Sequence, residues 1–329
     1  MGMKRALVAI GAIVGLFVLV QIIALSLVAP FDAAGYQAVP EGQTDDPVNS
    51  LVYVGGILVA TGVMLAAFKL GVDELIRGLI ALSAATISYY VFSVVLPVVE
   101  VAGVSAPAAV AALGLAAALL AYPEWYVIDA AGVIMGGGAA GLFGISFGVL
   151  PAIVLLTVLA VYDAISVYGT EHMLELASGV MDLKMPVLLV VPLSLSYSFR
   201  TSEGQDREEM TGEAATDGGA GEGGEPETDP TDRDAFFIGL GDAVMPTVLV
   251  ASAAHFLSLP GVVGGVSLPA LTAAAGTLVG LVVLMRFVVR GRAHAGLPLL
   301  NGGAIGGYLL GAVVAGVPLV EALGIASYL

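Results

Sequence analysis

Runs of about 20 consecutive apolar residues recur along the chain, and each is long enough to cross a hydrocarbon core of roughly 30 Å as a helix. The first run, at about 24 residues, is longer than the apolar region of a signal peptide, so we expect it to be retained as a span. We therefore expect an all-α polytopic membrane protein. The pattern predicts nine transmembrane helices, at about 6–29, 51–70, 75–98, 102–121, 125–143, 149–168, 236–258, 266–289 and 296–316.

One long hydrophilic segment, residues 169–235, separates the sixth span from the seventh. Its first part contains a short apolar stretch, Met185–Leu195, which carries two prolines. This stretch is too short to span a membrane, so we predict either a re-entrant segment or a strand. The second part, about 200–234, holds 12 acidic residues and two arginines from position 203 onward. Such a composition buries almost no apolar surface, and we expect this part to be disordered.

The basic residues predict the orientation of the chain. All 11 of them fall on one side of the nine-span arrangement. Because lysine and arginine concentrate in cytoplasmic loops, the N-terminus and the long loop are predicted to be cytoplasmic. The expected organisation is helices 1–6 in residues 1–168, a cytoplasmic loop at 169–235, and helices 7–9 in residues 236–329.

The composition excludes several kinds of chemistry. The chain is 58% hydrophobic and only 12% charged, and it contains no cysteine and three histidines. Disulfides, thiol catalysis and cysteine metal sites are therefore excluded. The histidines are widely separated and no HExxH motif occurs, so a zinc protease lacks its ligands. No glycine-rich phosphate loop is present, and we expect no metal and no cofactor.

Three acidic residues lie inside predicted spans: Asp129, Asp163 and Asp242. Asp163 is about six residues from the cytoplasmic end of the sixth span, and Asp242 is about six residues into the antiparallel seventh span. At 1.5 Å per residue, both lie roughly 9 Å below the cytoplasmic face and can face each other. Asp129 is close to the start of the fifth span, and we expect it to reach the interface or cap the helix.

A pair of carboxyl groups at matched depth suggests a function. Two carboxylates a few Å apart in a low dielectric do not both ionise, so the pair holds one proton. Such a pair can hydrolyse a peptide bond, since the ionised carboxylate activates water and the protonated one polarises the carbonyl. A proton-coupled transporter or channel could use the same two acids. A transporter usually shows internal repeats of its spans, and we find none here.

The motifs around these acids resemble those of a known family. Tyr162 and Asp163 are similar to the YD motif of the presenilin and signal peptide peptidase family of intramembrane aspartyl proteases. Gly239, Leu240, Gly241 and Asp242 match its GxGD motif. The resemblance covers nearly the whole chain, and archaeal presenilin homologues are the most similar group. A prepilin-type peptidase also uses GxGD, but those chains are typically smaller.

The family's third motif, Pro-Ala-Leu, maps onto Ala295, Gly296 and Leu297, followed by Pro298, so that only the leucine is retained. The resemblance implies that Asp163 and Asp242 are catalytic. It implies roles in substrate binding or in shaping the active site for Tyr162, Gly239, Leu240, Gly241, Gly296, Leu297 and Pro298.

The resemblance also implies partners and a location. The partners are transmembrane protein or peptide substrates in a lipid bilayer, and no nucleic acid is expected. The net charge of −16 is typical of proteins that face very salty water. We therefore expect the plasma membrane of a prokaryote, namely a halophilic archaeon.

Overall fold

The computed structural model describes residues 2–40, 42–169, 187–193, 197–198, 235–289 and 295–326. The predicted acidic, disordered segment at about 200–234 lies outside these described residues. Nine helices of 16 residues or more occur in the described part of the chain: α1 (Gly2–Ala33), α2 (Val48–Leu70), α3 (Asp73–Val95), α4 (Ala106–Ala121), α5 (Trp125–Ser146), α6 (Val149–Gly169), α7 (Leu240–Phe256), α8 (Leu268–Val288) and α9 (Gly296–Val314).

A short helix, α10 (Leu319–Ala322), follows α9. The described strands form three antiparallel pairs: β1 (Glu100–Val101) with β2 (Val104–Ser105), β3 (Leu188–Pro192) with β4 (Ala235–Gly239), and β5 (Gly261–Val263) with β6 (Val266–Ser267).

The described helices agree with the predicted class of polytopic membrane protein. Seven of them are long and apolar enough to cross a membrane. The other two, α4 and α7, are equally apolar in character but shorter, at 16 and 17 residues. Helices α2, α3, α5, α6 and α9 begin and end within a few residues of the predicted spans. The count of nine spans and the side of the N-terminus stay predictions.

Three helices, α4, α7 and α8, begin later than predicted because a strand occupies the first residues of the apolar run. The strands before α4 and α8 belong to two similar hairpins with two-residue turns. Both turns have positive φ angles, 55° and 80° in the first and 56° and 81° in the second, as in type I′ turns. The pattern Val-(Ala/Gly)-Gly-Val-Ser-X-Pro-Ala occurs in both places, at 101–108 and 263–270. In each case the proline lies in the first helical turn, where no intrahelical N–H is needed.

The stretch Met185–Leu195 was predicted to be either a re-entrant segment or a strand. The structure shows a strand, because the described part of this stretch contains β3. Both faces of the β3–β4 pair are buried against helices. Leu189 and Ile238 pack on the side of α1, while Val190 and Phe237 pack on the side of α5. A strand buried on both faces shows no alternation of polar and apolar residues, which explains why β4 is indistinguishable from a span in the sequence.

Helices α8 and α9 are held together by glycines. A Cβ atom on Gly303 would collide with the backbone carbonyl of Gly276, and one on Gly307 would collide with that of Thr272. Gly302 and Gly306 have no described atom within 4 Å of the place where a Cβ would lie. Of the two GxxxG pairs of α9, only Gly303 and Gly307 therefore face α8. Close backbone approach of this kind is a common means of helix association in membranes.

We predict that Gly303→Ala destabilises the protein by about 1–3 kcal/mol, because the two backbones must separate to admit the methyl group. Gly302→Ala, one position away, is the matched control. It should be neutral or stabilising by up to about 1 kcal/mol, since alanine is the better helix former. Thermal unfolding of both variants in the same lipid would test this, and equal midpoints would contradict the packing assigned to Gly303.

Candidate active site

Asp163 lies in the last third of α6 and is only 9% exposed. Its Oδ2 accepts a hydrogen bond from the backbone N–H of Leu297 at 3.0 Å. The backbone of Gly296 contributes a second hydrogen bond to the same carboxylate. Both donors belong to the first turn of α9, where N–H groups have no partner within their own helix. The N-terminus of α9 therefore serves as the binding partner of a buried acid.

Asp242 is the third residue of α7, and not about six residues into a span as predicted from the sequence. The difference arises because residues up to Gly239 form strand β4. An acid in the first helical turn lies at the positive end of the helix dipole, which stabilises negative charge. Gly239 lies against this acid, since a Cβ there would be 3.3 Å from Oδ2 of Asp242.

The dipeptide Gly296–Leu297 lies beside both aspartates. Leu297 donates its N–H to Asp163. A Cβ on Gly296 would lie 3.7 Å from Oδ2 of Asp242 and 3.4 Å from the side chain of Leu284. The start of α9 thus lies between the end of α6 and the start of α7. Five of the predicted site residues, Asp163, Gly239, Asp242, Gly296 and Leu297, are brought together in this way.

The remaining predicted residues border this cluster in different ways. Gly241 is exposed, with no described atom within 4 Å of its Cβ direction. Tyr162 is 41% exposed beside Asp163. The side chain of Leu240 points away from the open side and packs on α5, where a Cβ on Gly136 would lie 3.0 Å from it. Pro298 is the third residue of α9, a position that needs no intrahelical donor.

The departure from the family's third motif has a physical explanation. The group that reaches Asp163 is the backbone N–H of Leu297, which any residue except proline provides. The hydrogen bond to Asp163 therefore does not depend on the side chains at positions 295 and 296, provided that the helix still begins at the same residue. Pro298 restricts the backbone without removing either of the two N–H donors that precede it.

Asp129 was predicted to reach the interface or cap the helix, but the structure buries its side chain. It is 7% exposed, and its Oδ1 accepts a hydrogen bond from the backbone N–H of Val190 at 2.7 Å. The strand that provides this donor lies 61 residues away in the sequence. No local pattern around Asp129 could have revealed this contact, because the neighbouring aromatic residues indicate an interface.

Asn301 was not predicted and links two helices of the site. It is fully buried on α9, and its Nδ2 donates to the carbonyl of Leu156 on α6 at 2.9 Å. Its Oδ1 is buried without a hydrogen-bond partner in the described part of the chain. Leu156 lies two helical turns before Asp163, and Asn301 lies one turn after Leu297. This bond therefore fixes α9 along α6 close to the aspartate.

The comparisons with known proteins agree with this arrangement. The family described as signal-peptide peptidase, presenilin aspartyl protease matches residues 14–317. A presenilin family intramembrane aspartate protease solved in the C222 space group is 33% identical, with a TM-score of 0.63, over 93% of this chain and 99% of its own. The structure of such a protease in the P2 space group is 34% identical, with a TM-score of 0.61, over 92% of this chain and 97% of its own. Curated proteins give no significant match.

A helical membrane bundle with this site belongs to the class of intramembrane aspartic proteases. The chain is a member of the signal-peptide peptidase and presenilin family, as its motifs predicted. It is an integral, multi-pass membrane hydrolase that acts on membrane-protein substrates. The family match favours this class over the transporter and the prepilin-type peptidase considered from the sequence.

We predict that Asn301→Leu lowers kcat by about tenfold, because α6 and α9 lose the bond that aligns them near Asp163. The cost in stability should be small, within about 1 kcal/mol, since the substitution also removes the unpartnered Oδ1. Thr277→Val is the matched control, because this buried hydroxyl donates only within its own helix, to Ala273. Thermal midpoints and turnover of both variants would test this. Unchanged turnover of Asn301→Leu would show that the bond does not align the site.

Proposed function

We propose that Asp163 and Asp242 are the catalytic pair of this protease and that they share one proton at rest. The supporting observation is that a single dipeptide, Gly296–Leu297, bonds to the carboxylate of Asp163 and lies beside that of Asp242. Because the start of α9 lies beside both acids, which belong to two different helices, a small movement of one helix changes the separation of the two acids. The pair holds about one negative charge, which limits the cost of its burial.

The proposed reaction is direct hydrolysis. The ionised carboxylate takes a proton from a water molecule, whose oxygen attacks the carbonyl carbon of the peptide bond. The protonated carboxyl group donates a hydrogen bond to the carbonyl oxygen and stabilises the charge that develops there. The tetrahedral intermediate then collapses, the C–N bond breaks, and the nitrogen receives the proton that the first carboxylate took from water, which restores the pair. The products are a carboxylic acid and an amine.

We propose that the substrates are transmembrane segments that unwind beside the pair, since helical peptide bonds are shielded by their own turns. Gly241 supports this proposal because no described atom lies within 4 Å of its Cβ direction, so a substrate backbone can approach there. Gly239 and Gly296 then keep side chains away from Asp242. Exposed Tyr162 borders the same region, and Leu240 and Pro298 keep the starts of α7 and α9 in place.

We predict that Asp163→Ala and Asp242→Ala each lower cleavage of a reporter transmembrane substrate by about 10²–10⁴-fold, because each removes one of the two proton-transferring groups. Asp163→Asn is a more conservative variant, because its amide oxygen can still accept the N–H of Leu297, and it should be equally inactive. Asp32→Asn, an exposed acid at the other end of the bundle, is the control and should cleave normally. Near-normal activity of either alanine variant would remove that aspartate from the pair.

We further propose nine spans with a cytoplasmic N-terminus, organised as residues 1–168, a cytoplasmic loop at 169–235, and residues 236–329. The proposal is supported by the basic residues on one predicted side and by nine long helices in the described chain. The surplus of acid supports the plasma membrane of a halophilic archaeon as the location. The transmembrane segments of that membrane would then supply the substrates.

The orientation can be tested cleanly because the chain has no cysteine of its own. Glu74 and Glu100 are both exposed acids, at the start of α3 and in the hairpin that follows it. We predict that Glu74→Cys reacts with an impermeant maleimide only from the cytoplasmic side and Glu100→Cys only from the outside. Labelling of whole cells and of inverted vesicles distinguishes the two. Labelling of both positions from one side would contradict the predicted arrangement of spans.

A further inference from the structure

We propose that Asp129 is a positioning residue of this protease, which holds the β3–β4 pair on α5 and thereby sets the place of Asp242. The inference rests on the proposed role of Asp242. Asp129 is buried, lies on a different helix from both members of the pair, and accepts the N–H of Val190 at 2.7 Å. The proposed reaction does not use this carboxyl group, so its burial requires another explanation.

The donor is a backbone group that β4 does not use. In the register of the pair, Val190 lies opposite Phe237 and Leu188 opposite Gly239. Leu240 donates its N–H to the carbonyl of Val187 at 2.8 Å. In an antiparallel pair only every second residue bonds to the partner strand, so the backbone groups of Leu188 and Val190 are the ones that do not bond to β4. The N–H of Val190 therefore points away from β4, and Asp129 receives it at the other edge of β3. This bond joins the free edge of β3 to α5 and satisfies an N–H group that a third strand would otherwise accept.

Asp129 is the first member of a row on one face of α5, which we call the α5 strip: Asp129, Gly132 and Gly136. The spacing of three and four residues places them on the same helix face. A Cβ on Gly132 would lie 3.1 Å from the side chain of Leu189 and 3.7 Å from that of Leu240. A Cβ on Gly136 would lie 3.0 Å from Leu240. The α5 strip thus contacts both β3 and the first residue of α7.

The strand pair connects the position of β3 on α5 to the position of Asp242. Gly239 is the last residue of β4 and also precedes the first turn of α7. Only Leu240 and Gly241 separate it from Asp242, and a Cβ on Gly239 would lie 3.3 Å from that carboxylate. A shift of β3 along α5 would therefore move Asp242 relative to Asp163, and displacements of about 1 Å in an active site can cost 10²-fold in rate. The α5 strip positions one aspartate, whereas the start of α9 holds the other.

The test compares Asp129→Ala with Asp129→Asn, because asparagine keeps an oxygen that accepts the N–H of Val190. Turnover is expressed per active site, titrated with a hydroxyl-containing transition-state mimic, so that loss of folded protein does not count. We expect Asp129→Ala to lower kcat by about 10- to 10²-fold with little change in KM. We expect Asp129→Asn to stay within about threefold of the wild type, because the hydrogen bond is retained.

A control and a second variant separate positioning from general stability. Ser50→Ala removes another fully buried hydrogen bond, to the carbonyl of Pro151, at a distance from the α5 strip. It should lower the thermal midpoint without changing kcat. Gly132→Ala pushes on Leu189 while leaving the carboxylate in place, and it should lower kcat as Asp129→Ala does. If Asp129→Ala does not fold, the kcat of Gly132→Ala tests instead whether the α5 strip positions the pair.

Two results would overturn the proposal. If Asp129→Ala or Gly132→Ala keeps the wild-type kcat per active site, the α5 strip does not position the pair. If Asp129→Asn is as slow as Asp129→Ala, the acid itself is needed and its role is proton transfer. Hydrogen exchange at the amide of Val190 is independent of proteolysis, and it should be slow in the wild type and in Asp129→Asn but fast in Asp129→Ala. Failure of the proposed function alone would leave this exchange pattern unchanged.

Discussion

The site depends on the contact between the first turn of α9 and the carboxylate of Asp163. A helix that begins inside a membrane leaves N–H groups that water cannot satisfy. A buried carboxylate has the opposite need, since it lacks donors. The hydrogen bonds from Leu297 and Gly296 to Asp163 meet both requirements at once. The start of α9 beside Asp163 and the presence of an acid on α6 therefore explain each other.

The position of this contact is determined by packing some distance away. Gly276 and Gly303 bring α8 and α9 so close that a methyl group does not fit between them. Asn301 then fixes α9 along α6 through the carbonyl of Leu156. Glycine contacts control the distance between helices, whereas a directed hydrogen bond controls their relative position along the axis. Both are needed, because apolar side chains in lipid provide little directional preference.

Much of the fold could be predicted from the sequence, because a membrane requires runs of about 20 apolar residues whatever their neighbours are. The strands could not be predicted with the same success. In β4 the residues Phe236, Phe237 and Ile238 read equally well as strand or span, and the partner that decides between them, β3, is remote in the sequence. The hairpins before α4 and α8 contain the turn sequences Ala-Gly and Gly-Gly, which favour a hairpin. Their strands are short and lie next to the apolar runs, so the sequence pattern does not separate them from the predicted spans.

The residues of the candidate site could likewise be predicted only in part from the sequence. The two aspartates and their glycines are conspicuous in the sequence because an acid in an apolar run demands an explanation. Asn301 and Asp129 were missed or misplaced, because their partners are backbone groups of distant segments, Leu156 and Val190. A backbone donor or acceptor leaves no trace in the residue type that provides it. Sequence patterns therefore reveal the proposed reacting groups more readily than the residues that hold them in place.

The choice of backbone N–H groups as partners also suits the chemistry of a carboxyl pair. A lysine or arginine beside Asp163 would stabilise its charge, but it would also form an ion pair that opposes protonation. The N–H groups of Leu297 and Gly296 carry only partial charges and do not ionise. They can hold the carboxylate in place and still allow it to exchange a proton during the proposed reaction. The same reasoning explains why, among the described residues, the start of a helix and not a basic side chain holds Asp163.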